Sequence, residues 1–126
     1  MLSRGLISGH WQKGAAGKGD FRAMSPRFQE GNIDKNLALV EALRQVAEEK
    51  GVSVAQIAIA WVAAQGKDIV PLIGARRRDR LAEALASRDV DLSAGDLAVI
   101  EQAVPKDAAA GARYPEAQLA HMDSER

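Results

Sequence analysis

Apolar residues in the middle of the chain recur with a helical period. Leu37, Val40, Leu43, Val46 and Ala47 fall three or four apart, with Glu41, Arg44, Glu48 and Glu49 on the other side. That spacing predicts a helix from near Asn32 to Lys50, stopped by Gly51. Ser53 and Gln56 then form a capping-box pair, in which each side chain satisfies a backbone donor of the other. The segment they open, VAQIAIAWVAAQ at 54–65, is apolar almost all round and is expected to be buried on more than one side. Gly66 ends it. A short apolar run, IVPLI at 69–73, reads as a strand, although Pro71 removes one amide donor from it. A third helix is expected over 77–87, with Leu81, Ala82, Ala84 and Leu85 on its apolar side. Ser93 and Asp96 cap a fourth, in which Leu97, Ile100 and Val104 share a face before Pro105 stops it.

The flanks lack such order. Residues 1–31 are rich in glycine and charge and read as a long loop, a kind of segment that is usually functional or mobile. Residues 105–126 form a polar tail with small residues, and no internal repeat is found. The resulting inventory is four helices and only one or two strands. A lone strand leaves its N–H and C=O groups without partners. Either another chain supplies the sheet, or the sequence is a piece of something larger. The order loop, helix, helix, strand, glycine, helix matches the final part of a βα-repeat protein.

Composition narrows the function classes. The 126 residues carry 17 Lys+Arg against 17 Asp+Glu, two His and no Cys. Neutral balance and an aromatic content of 4% argue against nucleic-acid or membrane-surface binding. Without cysteine there is no disulfide framework and no thiolate chemistry, and no metal site is expected. No signal peptide or long apolar run is present, so the expectation is a soluble cytoplasmic chain.

The densest charge follows the strand. After Gly74 come Arg76, Arg77, Arg78 and Arg80. A strand that leads through glycine into a helix amino end makes an anion site, because backbone approaches closely and the first-turn amides point outward. Arginines there oppose the helix dipole unless a ligand or partner brings negative charge. Arg76 and Arg80, four apart, can face the same way, and a guanidinium fork fits a phosphate, in particular the 2′-phosphate that separates NADP from NAD. The other reading is a solvated helix face, with the arginines paired to Asp79 and Glu83. Spacing alone leaves both open. Neither GxxxxGK[ST] nor GxGxxG occurs.

The motifs LSRGLISG, GDFR, SPRF, AQIAIAWVAAQGKDIVPLIGARRRDRLAEAL, DLSAGDLAVIE and RYP, in that order, resemble the C-terminal half of an aldo-keto reductase. The resemblance covers essentially all of 1–126. It implies the last portion of a (β/α)8 TIM barrel, mostly helical with one or two strands, from a family that reduces carbonyls with NADPH. A whole barrel takes roughly 250 residues. In this reading 1–31 holds the end of strand seven and a mobile loop near the cofactor. Residues 32–104 hold helices and strand eight with its phosphate-binding loop, and 105–126 the segment closing the catalytic face. Leu2, Ser3 and Arg4 match the loop along the pyrophosphate. Gly74, Ala75 and Arg76 match the segment cradling the adenosine phosphate, Arg80 the contact to 2′-phosphate and adenine, and Glu83 an acidic position by the adenine. The chain departs at Ala84, where many members carry an asparagine toward the adenine.

The family's catalytic tyrosine, lysine, aspartate and histidine have no matching motif here. Tyr114, the one tyrosine, reads as structural; His10 and His121 stand apart from any ligand-spaced partner, with His10 a loop residue near the pyrophosphate. Trp61 reads as core, and Trp11 as packing over the cofactor. The implied function is the NADP(H)-binding half of such an enzyme. Its partner would be a complementary N-terminal half or a second copy of itself. The alternative is a non-catalytic helical interaction module or subunit derived from one.

Overall fold

The computed structural model describes residues 2–14, 17 and 19–123. Met1 of the expected strand end, Ala15, Ala16 and Lys18 of the expected loop, and 124–126 of the tail lie outside the described residues.

Helix α1 spans Asn32–Glu49 and buries Ile33, Asn36, Val40, Leu43, Val46 and Ala47, while Glu41, Glu48 and Glu49 face solvent. Its end is made by Gly51, at φ +66°. That left-handed turn lets the Gly51 amide donate to Glu48 O and the Val52 amide to Ala47 O, a Schellman closure that satisfies two terminal carbonyls. Val52 then packs against the core.

Helix α2, Val54–Ala63, starts one residue later on the expected capping box. Ser53 Oγ accepts from the Gln56 amide (3.2 Å), and Gln56 Oε1 accepts from the Ser53 amide (2.8 Å). It is the central element. α1, the helix at Arg78–Ala86 (α3) and the 3-10 turns at Ser3–Ser8 and Ser87–Asp89 all contact it. Val54, Ala55, Ile57, Ile59 and Ala60 are buried, and Ile57 is wholly inaccessible. An all-round apolar helix needs such enclosure, and it obtains it here.

Helix α3, Arg78–Ala86, and helix α4, Ala94–Ala103, complete the bundle, with a short α5, Glu116–Leu119, in the tail. α4 opens on the reciprocal Ser93–Asp96 box and packs through Ile100 onto the cluster of Leu6, Val40, Leu43 and Ile57. Lys50 Nζ reaches Asp96 Oδ2 at 2.7 Å, fastening the end of α1 to the start of α4.

Two expectations fail. Residues 69–73 form no strand, and no residue described here is in a sheet. Val70 is 79% and Leu72 82% exposed. The run has strand composition, but no described residue offers it a ladder, and without one the backbone gains nothing by regular pairing. The apolar side expected of 77–87 is also mostly uncovered: Ala84 is buried, but Leu81 and Leu85 are about half exposed.

The first 31 residues carry 3-10 turns at Ser3–Ser8, Phe21–Met24 and Pro26–Phe28. Trp11 packs edge-on against Phe28 (5.3 Å between centroids) and adds to the core, so it lies inward.

Candidate functional site

The segment 74–76 runs without secondary structure into α3, whose N-cap residue, Arg77, makes no side-chain cap bond. Space around Gly74 is open, with no atom within 4 Å of where a Cβ would stand. The amino end of α3 thus lacks an N-cap side-chain bond, although the Asp79 carboxylate in its first turn meets the Arg80 amide, and the helix dipole favours an anion there.

The four arginines there differ in their commitments. Arg77 grips Asp79 through two bonds, Nε to Oδ1 (2.9 Å) and Nη2 to Oδ2 (2.7 Å). That fork holds the Asp79 carboxyl below its ordinary range and raises Arg77. Arg80 donates from Nη1 to Glu83 Oε2 at 3.1 Å. Arg76 and Arg78 are exposed and have no partner among the described residues. Two arginines thus remain uncompensated at a helix end whose dipole already repels cations.

A loop residue completes the cluster. His10 Nε2 contacts Arg80 Nη1 and lies 3.5 Å from Glu83 Oε2. Burial pushes the Glu83 carboxyl up, but the Ser53 hydroxyl, the Arg80 guanidinium and the charge His10 carries when protonated outweigh it and hold the group below its usual range. The structure therefore joins Arg80 and Glu83, and adds His10, which lies 70 positions from Arg80. No spacing signal in the sequence links them. Ala84, next to Glu83, faces inward and is buried.

Leu2, Ser3 and Arg4 lie in the first turn. Ser3 (φ +45°), Arg4 (φ +57°) and Gly5 (φ +92°) are successively left-handed, an uncommon run for non-glycine residues. Leu2 and Ser3 line an apolar cavity of about 240 Å³ together with Leu6, Trp61, Ile100 and Val104. The Arg4 side chain is committed within the protein. It donates to Ser25 Oγ (2.7 Å) and Arg113 O (2.9 Å), and its guanidinium lies against both the Phe21 ring (4.9 Å) and the Tyr114 ring (4.6 Å). Tyr114 thus packs on a cation, which suits a structural role. This clasp joins the first turn, the loop and the tail, and sequence spacing gave no sign of it.

Among the described residues no group of three or more His, Cys, Asp or Glu is placed to hold a metal, and no helix is long and apolar enough to cross a membrane.

The model of the Aldo/keto reductase family matches residues 2–105. Aldo-keto reductase yakc of Schizosaccharomyces pombe, which carries NADP(+) in its name, is 36% identical over 115 residues, 90% of this chain and 34% of that protein. A probable aldo-keto reductase 1 of Glycine max is 40% identical over 89 residues, 71% of this chain and 26% of that protein. The chain thus spans about a third or less of the length of these curated relatives. With the match covering most of its length, this chain belongs to the aldo/keto reductase family.

Proposed function

We propose that this chain is the NADP(H)-binding, C-terminal portion of a cytoplasmic (β/α)8-barrel aldo-keto reductase that reduces aldehydes or ketones. One observation carries the reading. Both side-chain contacts of Arg80 use Nη1, to Glu83 and to His10, so Nε and Nη2 have no partner among the described residues. Those two N–H groups form a parallel fork, the geometry that grips a phosphate through two oxygens.

The surroundings fit a dinucleotide phosphate. Arg76 brings an unpaired cation, Gly74 leaves room for close approach, and α3 begins without an N-cap side-chain bond. In this reading Arg76 and Arg80 hold the 2′-phosphate, Gly74 and Ala75 line the adenosine phosphate, and Glu83 stands by the adenine. The backbone of Leu2, Ser3 and Arg4, left-handed at Ser3 and Arg4, runs along the pyrophosphate, while the Arg4 side chain stays in its clasp. Bound NADPH supplies the hydride that reduces the carbonyl. This chain's residues bind and orient it, and the proton donor and its lysine, aspartate and histidine come from the remainder of the barrel. The exposed run 69–73 serves as strand eight once neighbouring strands, from a complementary N-terminal half, cover it.

The test is cofactor affinity at one fixed salt concentration. Hydrogen bonds to charged groups contribute about 1.5–3 kcal/mol, which corresponds to roughly tenfold to hundredfold in a dissociation constant. Arg80→Ala is expected to weaken NADPH by that factor and NADH hardly at all, since NADH has no 2′-phosphate to lose. Arg78→Ala is expected to change neither. Equal weakening of both cofactors by Arg80→Ala, or of neither, removes the phosphate reading and leaves a solvated helix face.

A further inference from the structure

Glu83 alone is a weak anchor for Arg80. The two are three apart on one partly buried helix face, and a single i,i+3 contact leaves a long side chain free to turn about it. His10 arrives from the other end of the chain and meets the same Nη1 nitrogen. Two acceptors from different directions fix the plane of the guanidinium, which one acceptor leaves free to turn. A fork recognises phosphate bidentately only when its plane is set.

We propose that His10 is a positioning residue for cofactor choice: with Glu83 it pins Nη1 of Arg80, so that the Nε/Nη2 edge is presented to a 2′-phosphate. This rests on the reading of Arg80 given above. His10 touches no ligand in this role and acts through Arg80.

The role requires a particular state of the ring. Nε2 receives an N–H from Arg80 only when it is unprotonated, with the proton on Nδ1. Protonation removes the acceptor and sets two cations against each other. The other charged groups near the ring are Glu83 on α3 and, across a small cavity of about 190 Å³, Arg44 and Glu48 on α1. Arg44 is itself engaged with Glu41 (3.1 Å) and with the Gly9 carbonyl (3.5 Å). A protonated His10 therefore turns to Glu83, the carboxylate that also holds Arg80. Acid thus withdraws both anchors from Arg80 together. The preference for the phosphorylated cofactor should therefore fall in acid, once the ring is protonated.

The experiment is calorimetric titration of the protein with NADP+ and with NAD+ at about pH 8 and about pH 5.5, on either side of ordinary histidine titration. The parent, His10→Ala, His10→Gln and Arg80→Ala are compared. At the higher pH His10→Ala is expected to weaken NADP+ roughly twofold to tenfold, the scale of re-ordering one side chain on binding, and to leave NAD+ unchanged. His10→Gln, whose amide oxygen accepts at the position of Nε2 and does not titrate, should retain the parent affinity. On acidification the parent should lose NADP+ preference more steeply than His10→Gln. The second ionisation of the phosphate, near pH 6, is common to both proteins and cancels. Three results overturn the proposal: no effect of His10→Ala, no rescue by His10→Gln, or a preference that rises in acid relative to His10→Gln. The last would make the ring a direct cation to the phosphate. If Arg80→Ala fails to discriminate the cofactors, or the parent binds no NADP+, the cofactor reading itself falls and this inference with it. If Arg80→Ala discriminates and His10→Ala does not, only this inference falls.

Discussion

Asn36 of α1 and Ala110 of the tail are joined by a reciprocal pair of hydrogen bonds across 74 positions. Asn36 Nδ2 donates to Ala110 O at 2.9 Å, and Asn36 Oδ1 accepts from the Ala110 amide at 2.8 Å. The remaining Nδ2 hydrogen goes to Arg27 O at 2.9 Å. A buried asparagine, 3% exposed, therefore satisfies backbone groups of both the loop and the tail. With the Arg4 clasp on Arg113 and Tyr114, it fixes the tail against the first part of the chain.

Asn36→Leu should consequently be costly although leucine suits a helix. It leaves three backbone groups without their partner, and each unsatisfied buried group costs about 1–3 kcal/mol. Water reaching the tail side will recover part of that. The expected loss is at least about 2 kcal/mol in urea unfolding. A change much smaller than that would mean that the tail does not depend on Asn36.

Gly111 follows directly and has φ +82°. A Cβ there would stand 2.8 Å from Asn32 Nδ2 and from Pro26 C and O. Backbone atoms cannot swing aside as a flexible side chain would. Gly111→Ala should therefore destabilise more than Gly31→Ala, where φ is +84° but the space is open. The control carries only the left-handed strain, about 1–3 kcal/mol. Faster proteolytic cleavage in the tail of Gly111→Ala than of Gly31→Ala is the expected sign. Equal behaviour would show that Pro26 moves.

What was legible in the sequence was local. The four main helices follow from apolar spacing within one element and from caps three residues long, such as Ser53–Gln56 and Ser93–Asp96, and these are realised nearly to the residue. The strand at 69–73 was misread because apolar β-branched composition specifies a strand only where another strand pairs with it. Leu81 and Leu85 mislead for a related reason: their spacing marks a face to be covered, and the described residues cover only about half of each. Gly74, Arg76, Arg80 and Glu83 were legible as candidates through family motifs. His10 and the Arg4 clasp were not, since contacts spanning 70 and 109 positions leave no periodic trace.

Acid should loosen the junction of α1 and α4. Lys50 first, and then the Ser93 hydroxyl and amide, hold Asp96 down to about 2. Its folded-state value is lower than its unfolded one, so the folded protein binds fewer protons there. The contribution is complete above the ordinary carboxylate range and is lost as pH falls toward about 2. Asp79 and Glu83 shift in the same direction and add to the total acid sensitivity. Lys50→Met removes the leading cause at Asp96, together with the Lys50 Nζ bond to Asp91 O (3.3 Å), which does not titrate. Its urea midpoint should fall below the parent's near neutrality and converge with it in acid. A constant gap between the two at all pH values would show that Lys50 acts through packing and its bond to Asp91 O, not through Asp96.

The exposed run at 69–73 predicts how this 126-residue chain behaves when expressed alone. Val70 and Leu72 have the same strand parity and are 79% and 82% exposed, and Ile69 and Ile73, on the other parity, are 42% and 39%. Backbone without ladder partners beside apolar side chains is a template for pairing with another chain. Lysine at such an edge blocks that pairing, because association would bury its charge. The parent should therefore sediment as larger species as its concentration rises, and Val70→Lys with Leu72→Lys should shift it to monomer. Since both side chains already face solvent, the double variant should leave the unfolding free energy of the monomer within about 0.5 kcal/mol per site. Two outcomes separate the possibilities. A parent that stays monomeric at every concentration would show that Pro71 and the local chain path suffice to block the edge. A double variant that unfolds markedly more easily would show that the segment packs on its own chain in solution.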